Sequence, residues 1–182
     1  MKVPESQKLA EAVSAGDLKM TAALIKEGVL ADWKNSEGCD ALYMACTFNS
    51  AAYEAVSQTD IYEITKLLLA AGINPDSRYR FLGDMPAVVI AGMNGNSGSV
   101  KALIEAGVDI NTSDEPGFTA LHRAAMNGWY ETVQLLIESG ADRNLKNFYK
   151  ETALDLAKNS EREDSGATLK GKDFSKTLKM LS

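Results

Sequence analysis

The stretch from Gly117 to Asn144, GFTALHRAAMNGWYETVQLLIESGADRN, constrains the fold most, because it encodes two short apolar helices in one compact segment. Gly128 separates the two helices and Gly140 follows the second. Glycine readily adopts the left-handed backbone with which helices end. The stretch therefore predicts a helix–turn–helix unit, and such a unit needs neighbours because it cannot bury its own apolar face.

The first helix of this unit resembles the T-P-L-H-x-A-A signature of ankyrin repeats. The matching residues are Thr119, Leu121, His122, Ala124 and Ala125, with Ala120 in the proline position. The resemblance implies an all-α solenoid of about five helix–turn–helix repeats with short β-hairpin fingers. It also implies a structural role for His122, whose ring would bridge neighbouring turns through hydrogen bonds.

The glycine that ends the second helix recurs along the chain and sets the repeat register. It stands at positions 28, 72, 107 and 140, at intervals of 44, 35 and 33 residues, and the last interval is the ankyrin period. A single domain, residues 1–182, then divides into units 5–35, 36–78, 79–113, 114–146 and 147–182. The outer helices are predicted to turn Leu67, Leu103 and Leu135 towards the core.

The long first interval indicates an insertion at residues 49–59, NSAAYEAVSQT, which is rich in good helix formers. It is either an extension of the inner helix or a short extra helix that begins after Asn49 or Ser50. Functionally it is either a tolerated loop insertion or a projection specific to a partner. Near the C-terminus, residues 159–172 are charged and predicted to be flexible, and residues 173–181 are predicted to form a final helix.

Charge and composition narrow the choice of partners. The chain has 182 residues, 45% of them hydrophobic, and a formal net charge of −6. Nucleic acids and anionic membranes both demand a basic surface, so neither is expected as the main partner. No apolar run approaches a secretory signal or a membrane span. Cys39 and Cys46 suit a reducing compartment without a disulfide, which predicts a cytoplasmic protein.

The sequence offers few residues for catalysis. Gly166 to Lys172 has the spacing of a phosphate-binding loop, but Asp173 replaces the required Ser or Thr and a charged stretch replaces the strand. One histidine and two cysteines cannot assemble a zinc site. No nucleophile is paired with a base around His122. We therefore expect no enzyme activity, no cofactor and no metal.

Ankyrin proteins generally bind partners through their finger tips and the concave face of their inner helices. The resemblance places on that surface the aromatic, arginine and methionine residues that are enriched at binding hot spots. Tyr79, Phe81 and Phe118 are expected at its centre, unless some aromatic rings fold back onto the adjacent tip. The predicted partner-binding residues are Trp33, Phe48, Arg78, Tyr79, Arg80, Phe81, Met93, Phe118, Met126, Asn127, Phe148 and Tyr149.

Two functions fit this reading. The first is a monomeric adaptor or scaffold module that binds another protein through the finger tips and the concave face. The alternative is a stand-alone inhibitor or immunity-type protein that blocks an enzyme or a toxin, a role that suits a small acidic repeat protein.

Overall fold

A computed structural model of the chain describes residues 5–29, 34–48, 56–163 and 172–182, and these ranges form five pairs of helices. The first helices of the pairs are α1 (Glu5–Ser14), α3 (Ala41–Cys46), α5 (Ala87–Met93), α7 (Ala120–Met126) and α9 (Ala153–Glu163). The second helices are α2 (Leu18–Lys26), α4 (Gln58–Ala70), α6 (Ser97–Glu105), α8 (Tyr130–Glu138) and α10 (Phe174–Leu181).

The helices stack in two layers. Each first helix contacts the first helix of the next pair, from α1 through to α9, and each second helix does the same from α2 to α10. The first helices are the inner layer and the second helices the outer layer of a solenoid, with the apolar core between them. The predicted all-α ankyrin-type architecture is thereby confirmed, whereas the boundaries of the units stay a prediction.

Side chains at the N-cap explain where several helices begin. The Asp40 carboxylate accepts a hydrogen bond from Tyr43 N at 2.9 Å, and Asn96 Oδ1 accepts one from Ser99 N at 2.9 Å. Thr119 and His122 form a reciprocal capping pair at the start of α7. Such side chains satisfy the amide groups that the first turn of a helix leaves without a partner.

The core follows the helical period. Ile61, Ile64 and Leu68 are buried on α4, and Leu136 is fully buried on α8. The prediction that Leu103 faces the core is right. Leu67 and Leu135 are only half-buried, because the next residue along each helix, Leu68 or Leu136, occupies the inward position. Small Ala124 and Ala125 are fully buried, which lets neighbouring inner helices approach closely.

Helices α4 and α6 approach so closely that only glycine fits at their crossing. A Cβ atom on Gly98 would lie 2.3 Å from the Gln58 carbonyl oxygen. Beside it, the hydroxyl groups of Thr65 and Ser99 lie 2.9 Å apart in the buried interface. Gly98 therefore has a structural role, as its position at the turn of a repeat predicts.

Short turns, here called fingers one to four, join each outer helix to the next inner helix. They comprise residues 35–39, 74–86, 111–118 and 144–151. Finger two forms the strands β1 (Arg78–Tyr79) and β2 (Met85–Pro86), which pair antiparallel around a 3₁₀ turn at Arg80–Leu82. Fingers one, three and four close through backbone hydrogen bonds instead. The donors and acceptors are Asn35 N to Cys39 O at 3.0 Å, Asp114 N to Phe118 O at 3.1 Å and Asn147 N to Glu151 O at 3.0 Å.

The predicted insertion lies mostly outside the described residues, which include only positions 56–59 of it. Its last residues belong to the outer helix: Ser57 caps α4 in a reciprocal capping box with Asp60. Helix α4 therefore begins at Gln58, three residues before the predicted Ile61. The alternative N-caps, Asn49 and Ser50, lie outside the described ranges.

The C-terminal unit is longer than predicted at its first helix. Helix α9 continues to Glu163, so the flexible segment expected from Asn159 does not begin there. The phosphate-loop-like stretch lies outside the described residues except for its last residue. The final helix is confirmed: Asp173 caps α10 and donates its backbone N–H to Gly128 O at 2.8 Å.

Candidate protein-binding surface

Fingers two, three and four form one continuous ridge, because each tip is hydrogen-bonded to the next. The Glu115 amide donates to the Gly83 carbonyl at 3.2 Å. The Phe148 amide donates to the Pro116 carbonyl at 3.0 Å. Backbone bonds of this kind fix the spacing of the tips, so the side chains that point outwards from them share one surface.

Fingers one, three and four have the same turn. The side chain of Asn35, Asp114 or Asn147 opens it and accepts backbone N–H groups, for example from Phe118 at 2.8 Å and from Tyr149 at 2.9 Å. The last turn residue is left-handed in all three, namely Gly38 (φ 84°), Gly117 (φ 84°) and Lys150 (φ 65°). Finger four therefore carries a lysine where the other two carry glycine.

The two central residues of this turn differ most in finger four. Finger one places the exposed Ser36 and Glu37 there, and finger three places Glu115 and Pro116. Finger four places Phe148 and Tyr149, whose exposed fractions are 77% and 69%. Turn chemistry favours small and polar residues at such positions, so nothing in the turn itself requires two aromatic rings.

The second finger corrects the predicted surface, because Tyr79 is buried with 3% of its area exposed. Its hydroxyl donates to the Asp40 carboxylate at 2.8 Å, and its ring packs edge-on against Tyr43. Burial raises the pKa of the Tyr79 phenol. Tyr79 is therefore a core residue that joins two repeats, and the expectation that it is an exposed tip residue is wrong.

The other side chains of finger two remain at the surface. Phe81 is 44% exposed and lies edge-on to Tyr43 and Tyr79. The exposed Arg78 binds Asp84 through Nε at 2.7 Å and the Ser113 carbonyl at 2.9 Å, so it also links finger two to finger three. Arg80 is exposed.

Phe118 and Phe48 are also buried, contrary to prediction, with 8% and 4% of their areas exposed. The Arg123 guanidinium lies over the Phe118 ring at 4.2 Å, and the centre of the Tyr149 ring lies 6.2 Å from that of Phe118. Phe118 thus supports finger four from below, which is the fold-back that the sequence leaves open as an alternative. Phe48 packs near Gly16. Trp33 lies outside the described residues.

The remaining predicted residues lie at the ends of the inner helices. Met126 is 40% exposed, whereas Met93 and Asn127 are half-buried. Asn127 Nδ2 donates to the carbonyl of Met93 at 3.2 Å, and Trp129 Nε1 donates to the same carbonyl at 3.0 Å. Asn127 therefore has a structural bond between repeats, and Met126 is the most accessible of the three.

His122 holds finger four against α7. Its Nε2 faces the carbonyls of Leu145 and Glu151 at 3.1 and 3.2 Å, so Nε2 carries the proton and donates it. Its Nδ1 accepts the Thr119 amide N–H at 3.2 Å. This network confirms the structural role implied by the resemblance, and burial lowers the pKa of His122 below its ordinary value of 6.5.

The lowered pKa predicts an acid-sensitive fold. In the unfolded chain His122 takes up a proton near pH 6.5, whereas in the folded chain it does so only at lower pH. Its contribution to the free energy of unfolding is therefore fully present above pH 6.5 and is lost as the pH falls below that value. Urea unfolding between pH 7.5 and 5.5 measures the slope. His122→Gln should be less stable at pH 7.5 but lose the slope. Because the chain has a single histidine, a slope that survives in His122→Gln would contradict the assignment.

The outer layer has a concavity of a different kind, about 390 Å³ in volume, between α4, α6 and α8. Its lining mixes charges of both signs with Tyr62 and Leu135. The ammonium groups of Lys66 and Lys101 lie over the Tyr62 ring at 5.0 and 4.7 Å. The exposed lysines of this face provide control positions for tests of the finger ridge.

The described ranges contain neither a metal-ligand cluster nor a membrane-spanning helix. No group of three or more His, Cys, Asp or Glu side chains there could hold a metal ion. No helix in the same ranges has the length and apolar character needed to cross a membrane. Cys39 and Cys46 are both buried free thiols, and burial raises the pKa of each.

Comparison with known protein families identifies the repeat. A family model described as ankyrin repeats, in three copies, matches residues 51–147 and 88–178. These matches together cover more than half of the chain and include α4 to α9. Comparison with curated proteins gave no match.

Proposed function

This chain belongs to the ankyrin repeat family, and on that premise we propose that it is an adaptor that binds a partner protein through its finger ridge. Ankyrin repeats are generally protein–protein interaction modules, so membership of the family supports binding to a protein but does not name the partner. The proposed ridge runs from Phe81 and Arg80 on finger two to Phe148 and Tyr149 on finger four. Met126 extends it towards the concave face.

The observation that carries the proposal is the exposure of Phe148 and Tyr149. Aromatic side chains are enriched at interface hot spots, and exposed apolar groups that share a surface mark interaction sites. The matching turn positions in fingers one and three hold Ser, Glu and Pro, so the turn itself does not need aromatic rings there. The Tyr149 ring also contacts Phe118, but most of its area stays exposed. Their exposure is explained if they dock into a partner.

We expect Phe148→Ser combined with Tyr149→Ser to weaken partner binding at least about tenfold, equivalent to about 1.4 kcal/mol. The melting temperature should fall only modestly, because both side chains are mostly exposed and the Arg123 guanidinium still covers Phe118 when Tyr149 is replaced. The measurement is affinity capture from a cell lysate with immobilised wild-type and variant protein, quantified by mass spectrometry, followed by calorimetry with the purified partner.

The matched control is Lys66→Glu on α4, which changes an exposed side chain on the outer layer and should leave binding unchanged. If Lys66→Glu abolishes binding while the finger substitutions do not, the partner uses the outer face. Tyr79→Ser and Phe118→Ser are unsuitable for this test, because both side chains are buried and their loss would lower stability. If the captured partner is an enzyme that the protein inactivates, the role is that of an inhibitor and not of an adaptor.

The proposal also includes the compartment and the oligomeric state of the protein. We place it in the cytoplasm as a non-enzymatic monomer that does not bind nucleic acid. The two buried free thiols support a reducing compartment, and the net charge of −6 disfavours nucleic acid as a partner. Light scattering at the concentration used for calorimetry tests the monomer.

A further inference from the structure

We propose that the partner segment which docks on finger four is acidic, with carboxylate side chains that flank an apolar anchor. The inference rests on the proposed function and specifies the chemistry of the partner at the same ridge. Finger four places its two exposed rings between two lysines, Lys146 before them and Lys150 after them. An apolar anchor would contact the rings, and carboxylates on either side of it would meet the two ammonium groups.

The two ammonium groups are available for a partner. Lys146 and Lys150 are both exposed, and within the described part of the chain neither forms an ion pair. Lys146 lies close enough to Asp155 to help lower the pKa of that carboxyl, but neither lysine forms an ion pair with it or with another described carboxylate. Finger four, residues 144–151, carries these two lysines and one carboxylate, Glu151, so its charge is net positive in a chain whose overall charge is −6.

The carboxylates closest in sequence accept hydrogen bonds within their own turns. Glu151 accepts a hydrogen bond from Asn147 Nδ2 at 3.0 Å. Asp155 accepts one from the Thr152 hydroxyl at 2.7 Å, and this bond is the main cause that lowers the pKa of Asp155. Glu115, on finger three, has its carboxylate near Gly83 of finger two. Finger four therefore presents more available positive than negative charge.

The backbone of Lys150 adds an independent observation. Its φ of 65° is in the left-handed region, which disfavours every residue that carries a Cβ atom. Fingers one and three satisfy the same turn with Gly38 and Gly117. Because glycine would serve the turn better, the fold does not explain a lysine here. Strain retained at an exposed tip indicates a function for the side chain, and for lysine that side chain is a cation.

The test uses two short fluorescein-labelled peptides with the same central Leu-Trp pair, flanked by Glu and Asp in one and by Lys and Arg in the other. Fluorescence anisotropy measures their binding to the full chain. We expect the acidic peptide to bind and the basic peptide not to bind. Binding of the acidic peptide should weaken as salt is added, because exposed charges are screened.

Charge reversal then locates the site. Lys146→Glu with Lys150→Glu should weaken the acidic peptide at least about tenfold. The Lys150→Glu change keeps an unbranched side chain at the left-handed position, so it alters mainly charge. The control, Lys19→Glu with Lys26→Glu, makes the same change in net charge on the exposed face of α2 and should leave the affinity within about twofold.

The outcomes separate this inference from the proposed function. Preference for the basic peptide, with binding still lost in the Phe148→Ser and Tyr149→Ser variant, overturns the acidic partner but keeps the ridge. Binding of the acidic peptide that survives the aromatic substitutions overturns both. Equal weakening by the finger-four and α2 charge reversals, or no binding of either peptide, overturns the acidic partner.

Discussion

Leu136→Ala should lower the free energy of unfolding by about 2–5 kcal/mol, the range for truncating a fully buried leucine. Leu136 lies in the middle of α8 with none of its area exposed and belongs to the main apolar cluster, together with Leu103 and Leu121. The side chain fills space between neighbouring repeats. Because each repeat of a solenoid is stabilised mainly by its neighbours, the loss should extend beyond one unit. Urea denaturation followed by circular dichroism measures it.

Leu135→Ala is the matched control, since it removes the same atoms from the adjacent, half-buried position. It should cost less than half as much as Leu136→Ala, because less apolar area leaves the water there on folding. A cost below about 1 kcal/mol for Leu136→Ala would contradict the buried position. A larger cost for Leu135→Ala than for Leu136→Ala would place the other side of α8 against the core.

The architecture could be predicted from the sequence because its signals are local and repeated. The capping residues, the small alanines of α7 and the glycines after the outer helices each act within a few residues, and they recur with nearly one period. The inward side of the outer helices was less certain. In LLLA at residues 67–70 and in LLIE at 135–138, adjacent leucines compete for one inward position, and only contact with the next repeat selects Leu68 and Leu136.

The candidate site was harder to predict, because the exposure of an aromatic ring depends on partners that are distant in sequence. Tyr79 is buried because its hydroxyl reaches Asp40, which lies 39 residues earlier in the chain. Phe118 is buried because Arg123 and Tyr149 cover it. A hydrophobic residue in a predicted finger is therefore not necessarily a surface residue. Its exposure depends on which side chains of its own and neighbouring repeats cover it.

One signal in the sequence did point to finger four. The turns that open with Asn35 and Asp114 reach glycine three residues later, whereas the turn that opens with Asn147 reaches Lys150. Once the fingers are aligned by this turn, Phe148 and Tyr149 fall at its two central positions. The alignment moves the expected centre of the surface from the middle fingers to finger four.

Arg123→Met should cost about 3 kcal/mol of stability, because it leaves the buried Asp114 carboxylate without its charged partner. The Asp114 side chain has none of its area exposed, and its Oδ2 accepts from the Arg123 guanidinium, with Nε at 3.2 Å. Its other oxygen accepts the Phe118 amide at 2.8 Å. The value is at the lower end of the range for broken buried pairs, since the Arg123 side chain is 19% exposed. Methionine keeps the apolar stem over Phe118.

A double-mutant cycle separates the lost charge partner from lost packing. Asp114→Asn keeps an acceptor for the Phe118 amide but removes the buried charge, so Arg123→Met with Asp114→Asn should be more stable than Arg123→Met alone. Arg78→Met is the comparison for an exposed pair, because Arg78 and Asp84 are 37% and 38% exposed, and it should cost no more than about 1 kcal/mol. Equal costs for Arg123→Met and Arg78→Met would show that Asp114 is hydrated in solution. Unfolding by urea at pH 7.5 measures all four variants.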